Sequence, residues 1–207
     1  MVITALRKKN SKVIVLFEDN SFCTIEYRVV VNNGLRINDF ITDEKKELII
    51  NESIFLTAKD SAFRSLSRRA HSVYELKTKL IRKGWQKEIV QKVLDDLIDN
   101  NFLNDEKFAD AFVEERSRKN VGINKLKSEL MKRGVDRKIS ESLLNNLDRN
   151  SSFESAFELA CKKFTQLKDR GFDNSKIRNK LYAFLLSRGF ESDFILKIIN
   201  EIEPEKD

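Results

Sequence analysis

Two stretches of this sequence match without a gap when one is shifted by 50 positions. Residues 72–97 read SVYELKTKLIRKGWQKEIVQKVLDDL, and residues 122–147 read GINKLKSELMKRGVDRKISESLLNNL. The shift carries Leu76 onto Leu126, Leu80 onto Leu130, Gly84 onto Gly134 and Ile89 onto Ile139. It also carries Val93 onto Leu143, Leu94 onto Leu144 and Leu97 onto Leu147. A further shift of 55 finds a third copy in Leu181, Leu185, Gly189, Phe190, Phe194, Ile198, Ile199 and Ile202. A period near 50 exceeds that of the familiar two-helix repeats and has room for three helices. Every retained apolar position is one that a helix would bury.

Each unit divides at physical punctuation. The second helix of the first unit starts at Ser72-x-x-Glu75, a capping-box pattern, and places Leu76 and Leu80 one turn apart on one face. The second helices stop at Gly84, Gly134 and Gly189, where glycine takes a left-handed conformation without a β-carbon clash. Trp85, Val135 and Phe190 then supply the apolar contact that accompanies such an end. First helices are expected at 58–69, 105–119 and 152–169. Their starts are marked by Thr57-x-x-Asp60, by Asn104 with Asp105 and Glu106, and by Ser151-x-x-Glu154.

Residues 1–57 differ. Val2–Arg7, Lys12–Phe17 and Phe22–Ile25 read as strands separated by Asn, Ser and Asp turns. Glu26–Asn33, ending at Gly34, fits a short helix or a strand, and Thr42 should cap a short helix near 43–50. A segment this small is marginal alone and should pack on the first repeat. The expected fold is mainly α: three tandem three-helix repeats in an elongated curved array, with a small β-rich N-terminal extension. The expected boundaries are 1–57, 58–103, 104–150 and 151–207.

Charged residues make up 35% of the chain, with one Pro and six Gly, which fits many solvated helices rather than a turn-rich β protein. The net charge of +6 is localised: residues 1–57 and 151–207 are each neutral, so the excess lies in 58–150. A localised basic region points to a polyanionic partner or an acidic protein surface. Cys23 and Cys161 lie far apart and form no CxxC pair, so a reducing compartment is the simpler assumption. Basic residues interrupt the short apolar runs of the N-terminus, and no run approaches the roughly 20 residues of a membrane span. The expectation is a cytoplasmic protein with no membrane association.

The sequence offers no credible active site. Phosphate-cradling glycine loops, HExxH and Cys/His clusters are all missing, so no cofactor or metal is expected and the chain is read as a non-enzyme. The single histidine, His71, falls in an exposed-looking junction, RRAHS, where a solvated or capping role outweighs a catalytic one. The pairs Asp95–Asp96 and Glu114–Glu115 are adjacent acids that point in different directions on a helix. The basic residues are the better candidates for function. Arg68 and Arg69 open the junction, and Lys79, Arg82 and Lys83 fall at i, i+3 and i+4 on one helix face. Lys125, Lys132 and Arg133 lie on the matching helix of the second unit, just after Arg116, Arg118 and Lys119. For any one of the helix-end cations, complementing the helix dipole is an equal alternative; as a group, the concentrated charge favours binding. Phe112, Phe157, Phe164 and Phe184 fall at core-like spacing and read as packing rather than base-stacking platforms.

These residues resemble a known family. The run Ala62…Leu66…Arg69-Ala70-His71-Ser72-x-x-Glu75-Leu76-x-x-x-Leu80-x-x-Lys83-Gly84 is similar to the opening of the RecX family of recombinase regulators. So are Phe102-Leu103-Asn104-Asp105-Glu106-Lys107-Phe108-Ala109, Gly122…Leu126…Glu129-Leu130-x-x-Arg133-Gly134-Val135 and Leu185-x-x-Arg188-Gly189-Phe190. The resemblance covers about residues 58–203 and departs from the family at His71, where Arg is common. It implies tandem three-helix repeats that lie in the groove of the RecA filament on single-stranded DNA. It further implies suppression of the filament's ATPase and strand exchange, which dampens recombination and the DNA-damage response. The partner implied is the RecA filament, with single-stranded DNA as a further candidate contact. A competing reading is a stand-alone DNA- or RNA-binding helical repeat protein, which predicts tight, salt-sensitive binding to naked nucleic acid. The repeat needs no partner to complete its core, so a monomer is expected.

Overall fold

The computed structural model describes residues 1–202, apart from the side chains of residues 149–151. The chain opens with an antiparallel meander of β1 (Ile3–Lys9), β2 (Lys12–Phe17) and β3 (Phe22–Glu26), in the order β1-β2-β3. Asn10 and Asn20 take positive φ (57° and 62°) in the two turns, as a short polar side chain permits. The inward residues Ile3, Val13, Val15, Phe17 and Ile25 form one core with Val29, Leu35, Ile41 and Ile49. Residues 27–32 resolve as a helix, α1 (Tyr27–Asn32), with Val29 and Val30 buried beneath it.

Thr42 caps as expected: its hydroxyl accepts from the Lys45 N–H at 3.2 Å. The helix it starts does not stop near residue 50. α2 runs continuously over Asp43–Leu66, 24 residues, and absorbs the helix expected at 58–69. Thr57 is therefore an interior residue rather than a cap. Its hydroxyl donates back to Ser53 O at 2.8 Å and lies 3.3 Å from the buried Glu26 carboxylate. Ser53 Oγ in turn accepts from the Glu26 N–H at 2.8 Å. This network joins β3 to the middle of α2. The N-terminal end of α2 thus covers the sheet while its C-terminal end packs on α4 (Lys87–Asp99), through Phe63 edge-on to Phe102 and a Lys59–Asp96 ion pair of 2.6 Å.

The remaining helices follow the repeat: α3 (Val73–Arg82), α4, α5 (Asp105–Ser117), α6 (Ile123–Lys132), α7 (Arg137–Asn145), α8 (Arg149–Asp169), α9 (Asn174–Ser187) and α10 (Ser192–Ile202). Each second helix ends in the same six-to-one turn. Trp85 N–H donates to Leu80 O at 3.3 Å, Val135 N–H to Leu130 O at 3.2 Å and Phe190 N–H to Leu185 O at 3.3 Å. Gly84, Gly134 and Gly189 carry φ of 90°, 74° and 90°, which a β-carbon would disfavour. Asn104 caps α5 by accepting from the Lys107 N–H at 2.9 Å. The cap expected at Ser151 falls on a side chain outside the described residues.

The chain divides into two compact units: Met1–His71 with Glu75–Leu103, and Ser72–Tyr74 with the chain from Asn104 onward. In the first, the sheet and α2 share a body with α3 and α4, so the N-terminal extension does pack with the first repeat. In the second, Phe108, Ala109, Phe112, Leu126, Leu130, Val135 and Leu144 form one core. Ala156, Ala160, Ile177, Leu181, Leu185, Phe190 and Ile195 belong to another, with Phe157, Phe164 and Phe184 packed against it. The four phenylalanines are packing residues.

Candidate functional site

The first unit gathers cations from two helix ends. Arg64 and Arg68 lie one turn apart at the end of α2, and Lys79 and Lys83 one turn apart at the end of α3. Desolvation lowers the Lys83 pKa, and repulsion from Lys79, Arg64 and Arg68 lowers it further. Among the described residues the direct partner of its ammonium is the Ser61 hydroxyl, at 2.9 Å. No carboxylate pairs with Arg64, Arg68, Lys79, Arg82 or Lys83 among the described residues. Here positive charge is crowded and left uncompensated, a state that an anionic ligand relieves.

His71 belongs to this cluster and is not at the surface. It is 3% exposed, against the exposed junction expected from RRAHS. Its ring nitrogens find their partners within the first unit. His71 Nδ1 donates to Arg69 O at 2.9 Å, which leaves Nε2 to accept from the Lys79 ammonium at 3.2 Å. Burial pulls the imidazole pKa below its ordinary value, and the charges of Arg69 and Lys79 pull the same way. A neutral imidazole therefore holds Lys79 in place. Arg69 turns elsewhere, pairing with Glu75 at 2.7 Å.

The second unit treats its cations differently. Arg116 pairs with Glu129 at 2.8 Å, Arg118 with Glu114 at 2.6 Å and Lys119 with Glu115 at 2.6 Å. Arg116 and Arg133 also lie over the Phe112 ring, at 5.5 and 4.6 Å from its centroid. Lys132 is exposed, while Lys125 is half-buried with its stem against Gly189. Of the eleven basic candidates, Arg68, Lys79 and Lys83 are thus brought together, whereas Arg116, Arg118 and Lys119 are each engaged by an acid. Arg64 was not among the candidates; its spacing of four from Arg68 was the available signal. The paired carboxylates have local partners too: Asp96 pairs with Lys59, and Asp95 accepts from Gln91. Among the described residues no group of three or more His, Cys, Asp or Glu is placed to hold a metal, and no helix is long and apolar enough to cross a membrane.

Family models of the first, second and third three-helix domains of RecX match residues 58–97, 104–144 and 151–199. A regulatory protein RecX of Clostridium botulinum (strain Alaska E43 / Type E3) is 31% identical over 197 residues, which span 95% of this chain and 92% of that relative. The chain belongs to the RecX family. A regulatory protein RecX of Clostridium perfringens (strain 13 / Type A) is 30% identical over 95% of this chain and 93% of its own length. A crystal structure of a regulatory protein RecX shares the fold with a TM-score of 0.78 at 17% identity, over 97% of this chain and 98% of that one. The crystal structure of RecX from Lactobacillus salivarius gives 0.66 at 24% identity, over 72% of this chain and 97% of that one. Matches of 95% and 97% leave only a few residues unmatched, so the β-rich N-terminal segment lies within the length shared with other RecX proteins. This RecX-family chain is accordingly a regulatory protein built from three helical domains.

Proposed function

We propose that this chain binds the RecA–single-stranded DNA filament and inhibits its ATPase and strand exchange without catalysing a reaction itself, thereby restraining recombination and the DNA-damage response. It acts as a monomer in the cytoplasm. The observation that carries the reading is the uncompensated cluster of Arg64, Arg68, Lys79 and Lys83 in a chain matched along its length by RecX regulators. A cluster in which no cation is paired with a carboxylate retains more of its field for an anionic surface than an ion-paired one does. The cluster is therefore the primary contact, and Arg82, with Lys125, Lys132 and Arg133, adds secondary ones.

The test is single-stranded-DNA-dependent ATP hydrolysis by the RecA of the same organism, titrated with this protein. One variant replaces Arg64, Arg68, Lys79 and Lys83 with Ala, and a second replaces Arg116, Arg118, Lys119, Lys132 and Arg133. Substoichiometric inhibition by the natural protein, lost in the first variant and largely kept in the second, is the expected result. Inhibition kept by the first variant moves the site. No inhibition, together with tight salt-sensitive binding to naked DNA, replaces the filament reading with that of a stand-alone nucleic-acid binder.

A further inference from the structure

The repeats of the second unit interlock through their glycine turns. Arg188 O accepts from the Gly122 N–H at 2.9 Å, and Gly189 O accepts from the Asn124 N–H at 3.0 Å. Arg133 O accepts from the Ser72 hydroxyl, and Gly134 lies so close to Tyr74 that an added β-carbon would sit 2.3 Å from Tyr74 Cβ. In both places the visitor is the first turn of a second helix, led by a small residue, Ser72 or Gly122. The first N–H groups of a helix lack intrahelical acceptors, and the carbonyls at a helix end lack donors. Their dipoles also attract when set head to tail. At the Gly189 turn the contact satisfies both ends; at the Gly134 turn Ser72 reaches the carbonyl through its hydroxyl, while the Val73 N–H goes to Asp105.

The turn at Gly84 has the same build, with φ of 90° and the Trp85-to-Leu80 bond of 3.3 Å. A β-carbon on Gly84 would nevertheless meet nothing within 4 Å. Among the described residues no hydrogen bond reaches Lys83 O or Gly84 O, the equivalents of the two occupied carbonyls of Arg188 and Gly189.

We propose that the Gly84 turn is a docking surface for the first turn of a helix in a partner protein, received as the Gly134 and Gly189 turns receive Ser72–Tyr74 and Gly122–Lys125. Exposed Arg82 and Lys83 flank the turn, beside the cation cluster. The visiting helix therefore carries a small N-cap residue and Asp or Glu in its first turn, the composition that helix starts favour. A second copy of this chain cannot offer the helix starts that fill the other two turns. Those of α3 and α6 are in use, and the position equivalent to Gly122 in the third repeat is Ile177, buried inside α9. DNA phosphate is a poor occupant, because its oxygens would face carbonyl oxygens, acceptor against acceptor.

This inference rests on the filament reading, with RecA as the partner protein. The test is co-sedimentation of the full-length protein with RecA assembled on poly(dT) in a non-hydrolysable ATP analogue. Gly84→Asn places a side chain in the contact; Asn is the side chain that takes positive φ elsewhere here, as at Asn38 (φ 72°) and Asn101 (φ 58°), against 90° at Gly84. Gly171→Asn is the control, since Gly171 has φ of 74° and equally open space around it. We expect Gly84→Asn to weaken filament binding at least tenfold and Gly171→Asn to leave it unchanged, with matching circular dichroism for both. Wild-type affinity in Gly84→Asn overturns this inference alone, and failure of the natural protein to bind the filament overturns both proposals. A photo-crosslinking p-benzoylphenylalanine in place of Arg82 supplies a second readout. It should capture a RecA peptide at a helix start, and capture of DNA alone overturns the inference.

Discussion

Gly122→Ala is the sharpest test of the interlock between the second and third repeats. Gly122 caps α6 at φ −73°, ψ 160°, a conformation open to any residue, so the substitution carries no backbone strain of its own. What it adds is one methyl group. Its carbon would fall 2.3 Å from the Gly189 carbonyl carbon and 2.4 Å from Gly189 O and Phe190 N. Carbon contacts settle at about 3.5–4.0 Å, so the two backbones must separate by about 1 Å. That displacement stretches the bonds from Gly122 N–H to Arg188 O and from Asn124 N–H to Gly189 O, now 2.9 and 3.0 Å, beyond hydrogen-bonding range. Two such bonds at about 1 kcal/mol each, with residual overpacking of about 1 kcal/mol, give a loss of about 3 kcal/mol. In a unit of this size that lowers Tm by about 10 °C. The single tryptophan, Trp85, lies in the first unit, so its fluorescence reports that unit while far-ultraviolet circular dichroism reports helices throughout. The dichroism transition should fall and the Trp85 transition should hold. A dichroism Tm within about 2 °C of the natural protein would refute the reasoning, because a backbone contact this close cannot absorb a methyl group without cost.

His71 should make the first unit sensitive to acid. Its folded pKa lies below the ordinary 6.5, so its contribution is fully present above that value and is lost as pH falls through the folded value. The urea midpoint read from Trp85 should drop from pH 7 to below 6, and His71→Gln should flatten that drop. The chain's one imidazole signal in proton NMR gives the titration directly. Lys83→Met removes an exposed charge near Lys79, Arg64 and Arg68, so stability should stay within about 0.5 kcal/mol of the natural protein while inhibition of RecA weakens. A fall in both would mark Lys83 as structural. Ser53→Ala strands the buried Glu26 N–H and should cost about 1–3 kcal/mol in the Trp85 transition; an unchanged midpoint would mean that water takes over the bond.

The sequence by itself determined the repeat, its period and the ends of its second helices, because each rests on a local rule. Apolar residues at helical spacing must be buried, and a helix that ends in a six-to-one turn needs a residue free to take positive φ, as Gly84, Gly134 and Gly189 do. The family was legible for the same reason. Local rules failed where a long-range partner overrode them. Thr57-x-x-Asp60 has the form of a helix start, yet Thr57 bonds back to Ser53 and lies against Glu26 of β3, and α2 runs through it because its N-terminal end covers the sheet and its C-terminal end packs on α4. RRAHS reads as solvated, yet His71 is buried, since Lys79 and the Arg69 carbonyl satisfy both of its ring nitrogens. Charge showed the same division. Counting placed the basic excess in residues 58–150, but only the fold decided that Glu114, Glu115 and Glu129 would neutralise the second repeat's cations while those of the first stayed uncompensated. A sequence fixes how many charges there are; which of them still carry a field depends on distances that only tertiary packing sets.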